Sequence, residues 1–317
     1  ATLCSCVFSS RALPLLGAIC ELTARAPPAS PSRRPSAAPS QQLQSLVLTI
    51  MEELASQQAL LLDHASQAVR CLLPPLAACL PSRRSDVRLL ALKAFTGFCI
   101  ILLNDCKVFD PVAEKPSETT LLLETLLCGR VLPILPTLLC DDAPTPAFAL
   151  QLLATFLSRG SAHAFVAVRD LGLATPVLTA LKGQQALTLQ SALLAHCLLQ
   201  GRQVRVRDLE AVGVLSSVHA ALRDAAEAGA RQPAHMDFAM ADAALCIAEE
   251  AMAQVLAALR AGEVAEAVSL EIGGLVRMLP VLAALCAPLA HAKLAPLLDR
   301  ASLACQHVAD IARCCPG

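Results

Sequence analysis

The feature that most constrains this chain is a run of short apolar segments that cannot bury themselves. Between Val131 and Leu181 four such segments follow one another, each closed by a breaker. The first ends at Asp141-Asp142-Ala143-Pro144-Thr145-Pro146, the second at Arg159-Gly160, the third at Gly172 and the fourth at Lys182-Gly183. In the second, Phe148, Leu152 and Phe156 stand four apart, and so do Ala149, Leu153 and Leu157. Two adjacent apolar stripes on one helix require cover on more than one side. Ser161 is placed to N-cap the third helix and Gly172 to stop it. Helices this short, with faces this wide, need neighbours of their own kind.

Those neighbours are visible as a repeat. Leu72 to Leu80 (LLPPLAACL) aligns with Val131 to Leu139 (VLPILPTLL). Leu173 to Leu181 aligns with Arg130 to Leu138, which sets Pro176 43 residues after Pro133. Gly213 to Leu222 aligns with Gly172 to Leu181, 41 residues on, and a further copy starts at Gly274, 61 residues later. The excess corresponds to a polar, Ala-rich insertion expected over Arg223 to His235. Periods near forty, made only of helices, mark armadillo or HEAT units. Asp86-Val87-Arg88 is the kind of Asp-Val-Arg helix start found in HEAT repeats. The expected fold is all-α, a right-handed α-solenoid of armadillo/HEAT-like units, with an irregular helical domain as the alternative.

Composition agrees with helices packed closely. Hydrophobic residues make up 56% of the 317, with no Trp, no Tyr and eight Phe, so Ala and Leu must carry the core. The formal charge of −1 offers no global basic field for nucleic acid. Spanning a bilayer takes roughly 20 mostly apolar residues. The charge-free run Gly183 to Gly201 carries four Gln and His196, and Met278 to Ala292 is broken by Pro280 and Pro288. Both read as core helices, so no membrane span is expected. The fifteen Cys are scattered singly through Leu/Ala helices, as free thiols are in a reducing, cytoplasmic setting.

Three regions are expected. Residues 1–23 read as a truncated remnant of a preceding helical unit, since the chain starts with Ala and not Met. Residues 24–40 (ARAPPASPSRRPSAAPS to Ser40) read as a disordered Pro/Ser-rich linker in which Arg33-Arg34 is a solvated tether or a docking determinant. Residues 41–317 read as the repeat domain. Within it, helices are expected over Gln41–Leu62, Ala65–Leu80, Asp86–Asn104, Thr120–Leu127, Gln185–Leu199, Asp208–Arg223, His235–Ala261, Val264–Ala283, Ala290–Arg300 and Ala301–Cys314. Pro133 and Pro136 should shorten or kink theirs. Asp105 to Thr120 is a long polar surface loop without a recognisable ligand signature.

The chemistry-bearing patterns are missing from the sequence. There is no Gly-rich phosphate loop, no GxSxG, no HExxH, no His-Arg-Asp and no Asp-Phe-Gly. Cys305, His307, Cys314 and Cys315 lie near one another, but CxxC is lacking and residues two apart on a helix do not face each other. His196-Cys197 fails as a nucleophile–base pair for the same reason. Glu249-Glu250 reads as a solvated helix face, and Asp141-Asp142 as a turn with a capping role. The expectation is a non-enzymatic chain without cofactor or metal. A pocket-bearing helical bundle for a small molecule or lipid stays as a rival. An importin-like adaptor fits poorly, because its groove would want Trp and Asn ladders and this chain has Asn104 alone.

Surface candidates therefore lie in turns between helices: Arg83, Arg84 and Asp86; Asp141 and Asp142; and the basic group Arg202, Arg205 and Arg207. The last is suited to an acidic partner such as a microtubule tail or a phosphosegment, or is simply an exposed loop.

Two stretches carry a family likeness. Leu72 to Phe95 (LLPPLAACLPSRRSDVRLLALKAF) and Val131 to Leu173 share the features Leu132-Pro133, Leu138-Leu139, Pro144 and Pro146, Ala149-Leu150, Leu152-Leu153 and Phe165. In these the chain resembles the C-terminal armadillo/HEAT region of the Unc-51-like pseudokinase of the Fused/RUNKEL type. The resemblance covers about a third of the chain and rests on packing residues, so it carries over no catalytic residue. It implies a scaffold arm, with any kinase-like domain N-terminal to this segment. It further implies protein partners such as Fused-type kinases, microtubule-associated or ciliary proteins, and a cytoplasmic place at the cytoskeleton or cilium.

Overall fold

The structure is a computed structural model that describes residues 12–25, 38–183, 187–232, 236–261, 275–291 and 295–314. These residues form helices joined by turns, with no strand among them. They fall into two compact units, Ala1–Leu173 and Ala174–Gly317.

Unit 1 is built from α1 (Ala12–Arg25), α2 (Ala38–Ala55), α3 (Gln58–Asp63), α4 (Ala65–Cys71), α5 (Leu73–Cys79), α6 (Ser85–Asn104), α7 (Glu118–Leu126), α8 (Leu135–Leu139), α9 (Thr145–Leu157) and α10 (Ala162–Asp170). One row runs α2–α6–α9, each helix packed on the next. On its other side α1 packs on α4 and α5, α4 on α7, and the turn after α7 on α10. Each repeat is thus a pair, α5 with α6 and α8 with α9, and the aligned segments at Leu72 and Leu132 open successive pairs. The two stripes on α9 explain its place: Ala149, Leu152, Leu153, Phe156 and Leu157 are all buried, against α6 on one side and α8 and α10 on the other. Ser161 N-caps α10, accepting from the Ala164 amide at 3.2 Å, and Gly172 follows its end with φ +62°, a conformation open to glycine.

The prolines act as expected. Between α7 and α8 the chain passes through a π-helical turn, Leu127–Val131, and a 3-10 turn, Leu132–Ile134. Pro133 and Pro136 sit in the opening positions of their segments, where a missing amide costs least. The whole of Glu118–Leu139 is one 22-residue helical run, long and apolar enough by length and composition to cross a membrane. Here it is a member of unit 1, in contact with α4, α9 and α10. It also holds a buried carboxylate, Glu124, which accepts from the Ser161 hydroxyl and lies 3.4 Å from His163.

The polar loop after α6 is fastened at two points. Phe109 is fully buried and meets Phe156 with ring centres 6.2 Å apart. Thr120 donates to the Val108 carbonyl at 3.2 Å, while Ser117 caps α7. At the N-terminal side, α1 packs on α2, α4 and α5. Of the residues read as a linker over 24–40, those at 26–37 lie outside the described residues, and the two ends are helical.

Unit 2 contains α11 (Ala174–Lys182), α12 (Leu189–Gln200), α13 (Val206–Ala211), α14 (Val214–Arg231), α15 (Phe238–Arg260), α16 (Leu279–His291) and α17 (Ala295–Cys314). One row runs α12–α15–α17, and α14 and α16 pack on each other, on α15 and on α17 respectively. The helix expected over Asp208–Arg223 is instead two, divided at Gly213, whose φ of +83° suits glycine. The insertion expected from Arg223 is helical as far as Arg231: its Ala-rich sequence favours helix, and Glu227 sits one turn from both Arg223 and Arg231. The two closing helices are one from Ala295 to Cys314. Most of the helix expected over Val264–Ala283 falls on residues outside the described set.

Candidate protein-contact surface

In unit 1 a single arginine organises the two acidic turns. Arg88, one turn into α6, donates to both carboxylate oxygens of Asp141 at 2.7 Å each and to the Ser82 carbonyl at 2.8 Å. Both side chains are largely buried, with 16% and 10% of their surface exposed. The Arg88 hydrogen bonds hold the Asp141 carboxyl below the usual carboxylate range, and the same bonds raise Arg88. Asp141 therefore does not cap α9 with its side chain, as the turn reading had it. Its carboxylate is used inside the repeat stack and also accepts from the Asp142 amide at 3.1 Å. The turn itself holds a cis peptide before Pro144.

The other candidates around it differ in what they offer. Arg84 and Asp86 pair at the surface, and the Arg84 guanidinium lowers the Asp86 carboxyl. Arg83 and Asp142 are exposed. Arg88 brings the Ser82–Asp86 and Asp141–Pro146 turns of adjacent repeats together, so these two turns share one edge of unit 1. Sequence reasoning named Arg88 only as part of the Asp-Val-Arg start and gave it no contact; its signal was an arginine one turn into a wide apolar helix.

In unit 2 the segment Gly201 to Leu209 (GRQVRVRDL) presents its arginines by alternation. Val204, Val206 and Leu209 are buried, while Arg202, Arg205 and Arg207 are exposed. The backbone is fixed from both ends. Gly201, Arg202 and Gln203 amides donate to the last carbonyls of α12 at 2.8–2.9 Å, with Arg202 at φ +52°. Asp208 accepts from the Arg205 amide at 2.8 Å, and Gln254 of α15 donates to the Leu199 carbonyl at 2.8 Å. Asp208 also lies 3.9 Å from the Arg207 guanidinium. Three outward guanidinium groups on a short pinned segment make a small positive surface that can meet a carboxylate-rich chain.

Near this surface lies a polar cluster the sequence did not disclose. Arg300 of α17 reaches Asp242 at 3.3 Å and Glu249 at 3.8 Å on α15. Glu250 accepts from Gln254 at 3.0 Å. Glu249-Glu250 is therefore a half-buried interhelical site and not a solvated face, because α17 supplies the opposing charge. His196 sits against the same groups with its pKa lowered, chiefly by burial, and burial pushes the neighbouring Cys197 thiol up to about 11. An apolar groove of about 300 Å³ opens between α14 and α16, lined by Ala226, Ala230, Pro280, Val281 and Ala284 with Arg223 and Glu227 at its side.

With this geometry in view, the comparisons can be read. A family model described as serine/threonine-protein kinase ULK4-like, HEAT repeats, matches residues 5–164, just over half of the chain. The chain belongs to this ULK4-like HEAT-repeat family. The match covers the whole α2–α6–α9 row and stops near the end of unit 1. A comparison with curated proteins finds no match. Among solved structures, the designed armadillo repeat protein YIII(Dq)4CqI is similar at 14% identity and a TM-score of 0.51, over 93% of this chain and 99% of its own. That likeness concerns the fold alone. Together they show an all-α armadillo/HEAT solenoid and the HEAT region of the ULK4-like family.

Proposed function

We propose that this chain is a non-catalytic protein-interaction scaffold, the repeat arm of an Unc-51-like kinase or pseudokinase of the Fused/RUNKEL type that works in the cytoplasm in microtubule or ciliary organisation. The observation that carries the reading is the family match itself, on a chain whose geometry is repeat packing. Support comes from the pinned basic segment Arg202–Arg207, whose outward guanidinium groups suit the acidic tails of microtubules. Stacked helical units offer extended surfaces for such chains.

Co-sedimentation of the chain with microtubules tests it, using intact microtubules and ones whose acidic tails have been removed by protease. Pelleting with intact microtubules that falls at least tenfold in affinity on the tail-less ones is the expected result. Failure to pellet with either, or equal pelleting with both, would remove the microtubule assignment.

A further inference from the structure

Cys20 on α1 and Cys79 at the end of α5 lie with their sulfur atoms 3.5 Å apart, both buried inside unit 1. The way α1 is seated brings this about. A Cβ added at Gly17 would come 2.1 Å from the Cys71 carbonyl oxygen, so backbone approaches backbone there. Cys20 stands one turn further along α1, and that close approach lowers it onto α5. A buried side chain of a different kind completes the site: Gln44 of α2, 8% exposed, lies close enough to Cys79 to lower its pKa. Paired small apolar residues would fill this space equally well, but they would give the Gln44 amide nothing to bond.

We infer that Cys20 and Cys79 are a disulfide-forming pair, reached by a small hydroperoxide when α1 opens locally and oxidised to fasten α1 to α5. Either sulfur can donate in this contact; with the Cys20 proton directed at Cys79, the bond and Gln44 lower the Cys79 pKa, against burial, and raise that of Cys20. Cys79 is thus the attacking sulfur. Its thiolate displaces on a peroxide oxygen, the O–O bond breaks, and a sulfenic acid forms at Cys79 with release of hydroxide. The Cys20 sulfur then attacks the Cys79 sulfur; the S–S bond forms, the S–O bond breaks, and the departing hydroxide takes the Cys20 proton as water. For hydrogen peroxide, two thiols and one peroxide give one disulfide and two waters. The sulfurs must close from 3.5 Å to about 2.05 Å, a change available to small rotations about the two Cα–Cβ bonds. The link would join residues 59 apart and restrict the unfolded chain.

The test is oxidation of the 317-residue chain with a slight excess of hydrogen peroxide, followed by alkylation and peptide mass spectrometry without reductant. The expected product is a peptide linking Cys20 to Cys79, 2 Da lighter than the two thiols, with unfolding of unit 1 moved up by roughly 5–10 °C. Dithiothreitol should reverse both. C20S and C79S should each abolish the linked peptide and the shift. Because the reading comes from the unaltered chain, a variant that folds poorly does not obscure it. Sulfinic acid at Cys79 without a link, or pairing among the exposed Cys106, Cys140 and Cys314 while Cys20 and Cys79 stay reduced, would overturn the inference.

Discussion

Arg88 holds Asp141 through two parallel hydrogen bonds of 2.7 Å, across 53 residues of sequence. The same guanidinium donates to Ser82, so one side chain ties the start of α6 to the turn that leads into α9. A bidentate pair of this kind, largely out of solvent, is a joint between neighbouring repeats.

Asp141→Asn leaves a mostly buried guanidinium short of a charge partner. The expected cost is about 2–3 kcal/mol in the stability of unit 1. Arg88→Ala should cost a similar amount, and the double variant less than the two together, because they share one interaction. Urea unfolding of the four proteins followed by circular dichroism measures this.

The same pair fixes a pH dependence. The folded Asp141 carboxyl titrates below its unfolded value of about 3.9, so the unfolded state binds more protons in that interval. Its contribution to stability is complete above that value and is lost as pH falls through the folded pKa. Unfolding curves from pH 6 to pH 2.5 should show a smaller acid loss for Asp141→Asn than for the unaltered chain.

Much of this architecture was legible. The spacing of Leu72 against Leu132 anticipated consecutive helix pairs, and the double stripe on α9 anticipated its burial on several sides. Pro133, Ser161 and Gly172 announced a shortened helix, a cap and a stop, because each acts on its own short stretch of chain. What escaped were contacts made by long polar side chains across large sequence separations. Arg88 with Asp141, Glu124 with Ser161 and Arg300 with Asp242 depend on which helices become neighbours, and helical periodicity does not specify that. The polar, Ala-rich insertion at Arg223 takes its form for a local reason: alanine favours helix, and the helix runs on to Arg231. Of the surface candidates, the alternation Val204, Arg205, Val206, Arg207 was present in the letters, whereas the internal use of Asp141 was not.

Gly17→Ala places a methyl group against the Cys71 carbonyl, a backbone atom that cannot turn aside. The helix propensity gained by alanine is about 1 kcal/mol, and the clash should outweigh it. A net loss of about 1–2 kcal/mol in unit 1 is expected, with faster hydrogen exchange along α1. Exchange mass spectrometry reads the second effect directly.

Arg202→Gly separates fold from surface. The residue holds φ +52°, where a non-glycine side chain is strained by about 1 kcal/mol. Glycine should leave unit 2 equally stable or more stable by up to about 1 kcal/mol, while removing one of three positive groups. Thermal unfolding and peptide binding on the same sample should therefore move in opposite directions.

The most direct measurement of the scaffold reading is a fluorescence anisotropy titration of an acidic, glutamate-rich tubulin-tail peptide with the whole chain and with R202E/R205E/R207E. The account expects saturable binding that weakens as salt is raised and falls at least tenfold in the triple variant, with its helical circular dichroism unchanged. Binding of equal strength in the correctly folded triple variant, or no binding by the unaltered chain at low salt, would contradict it.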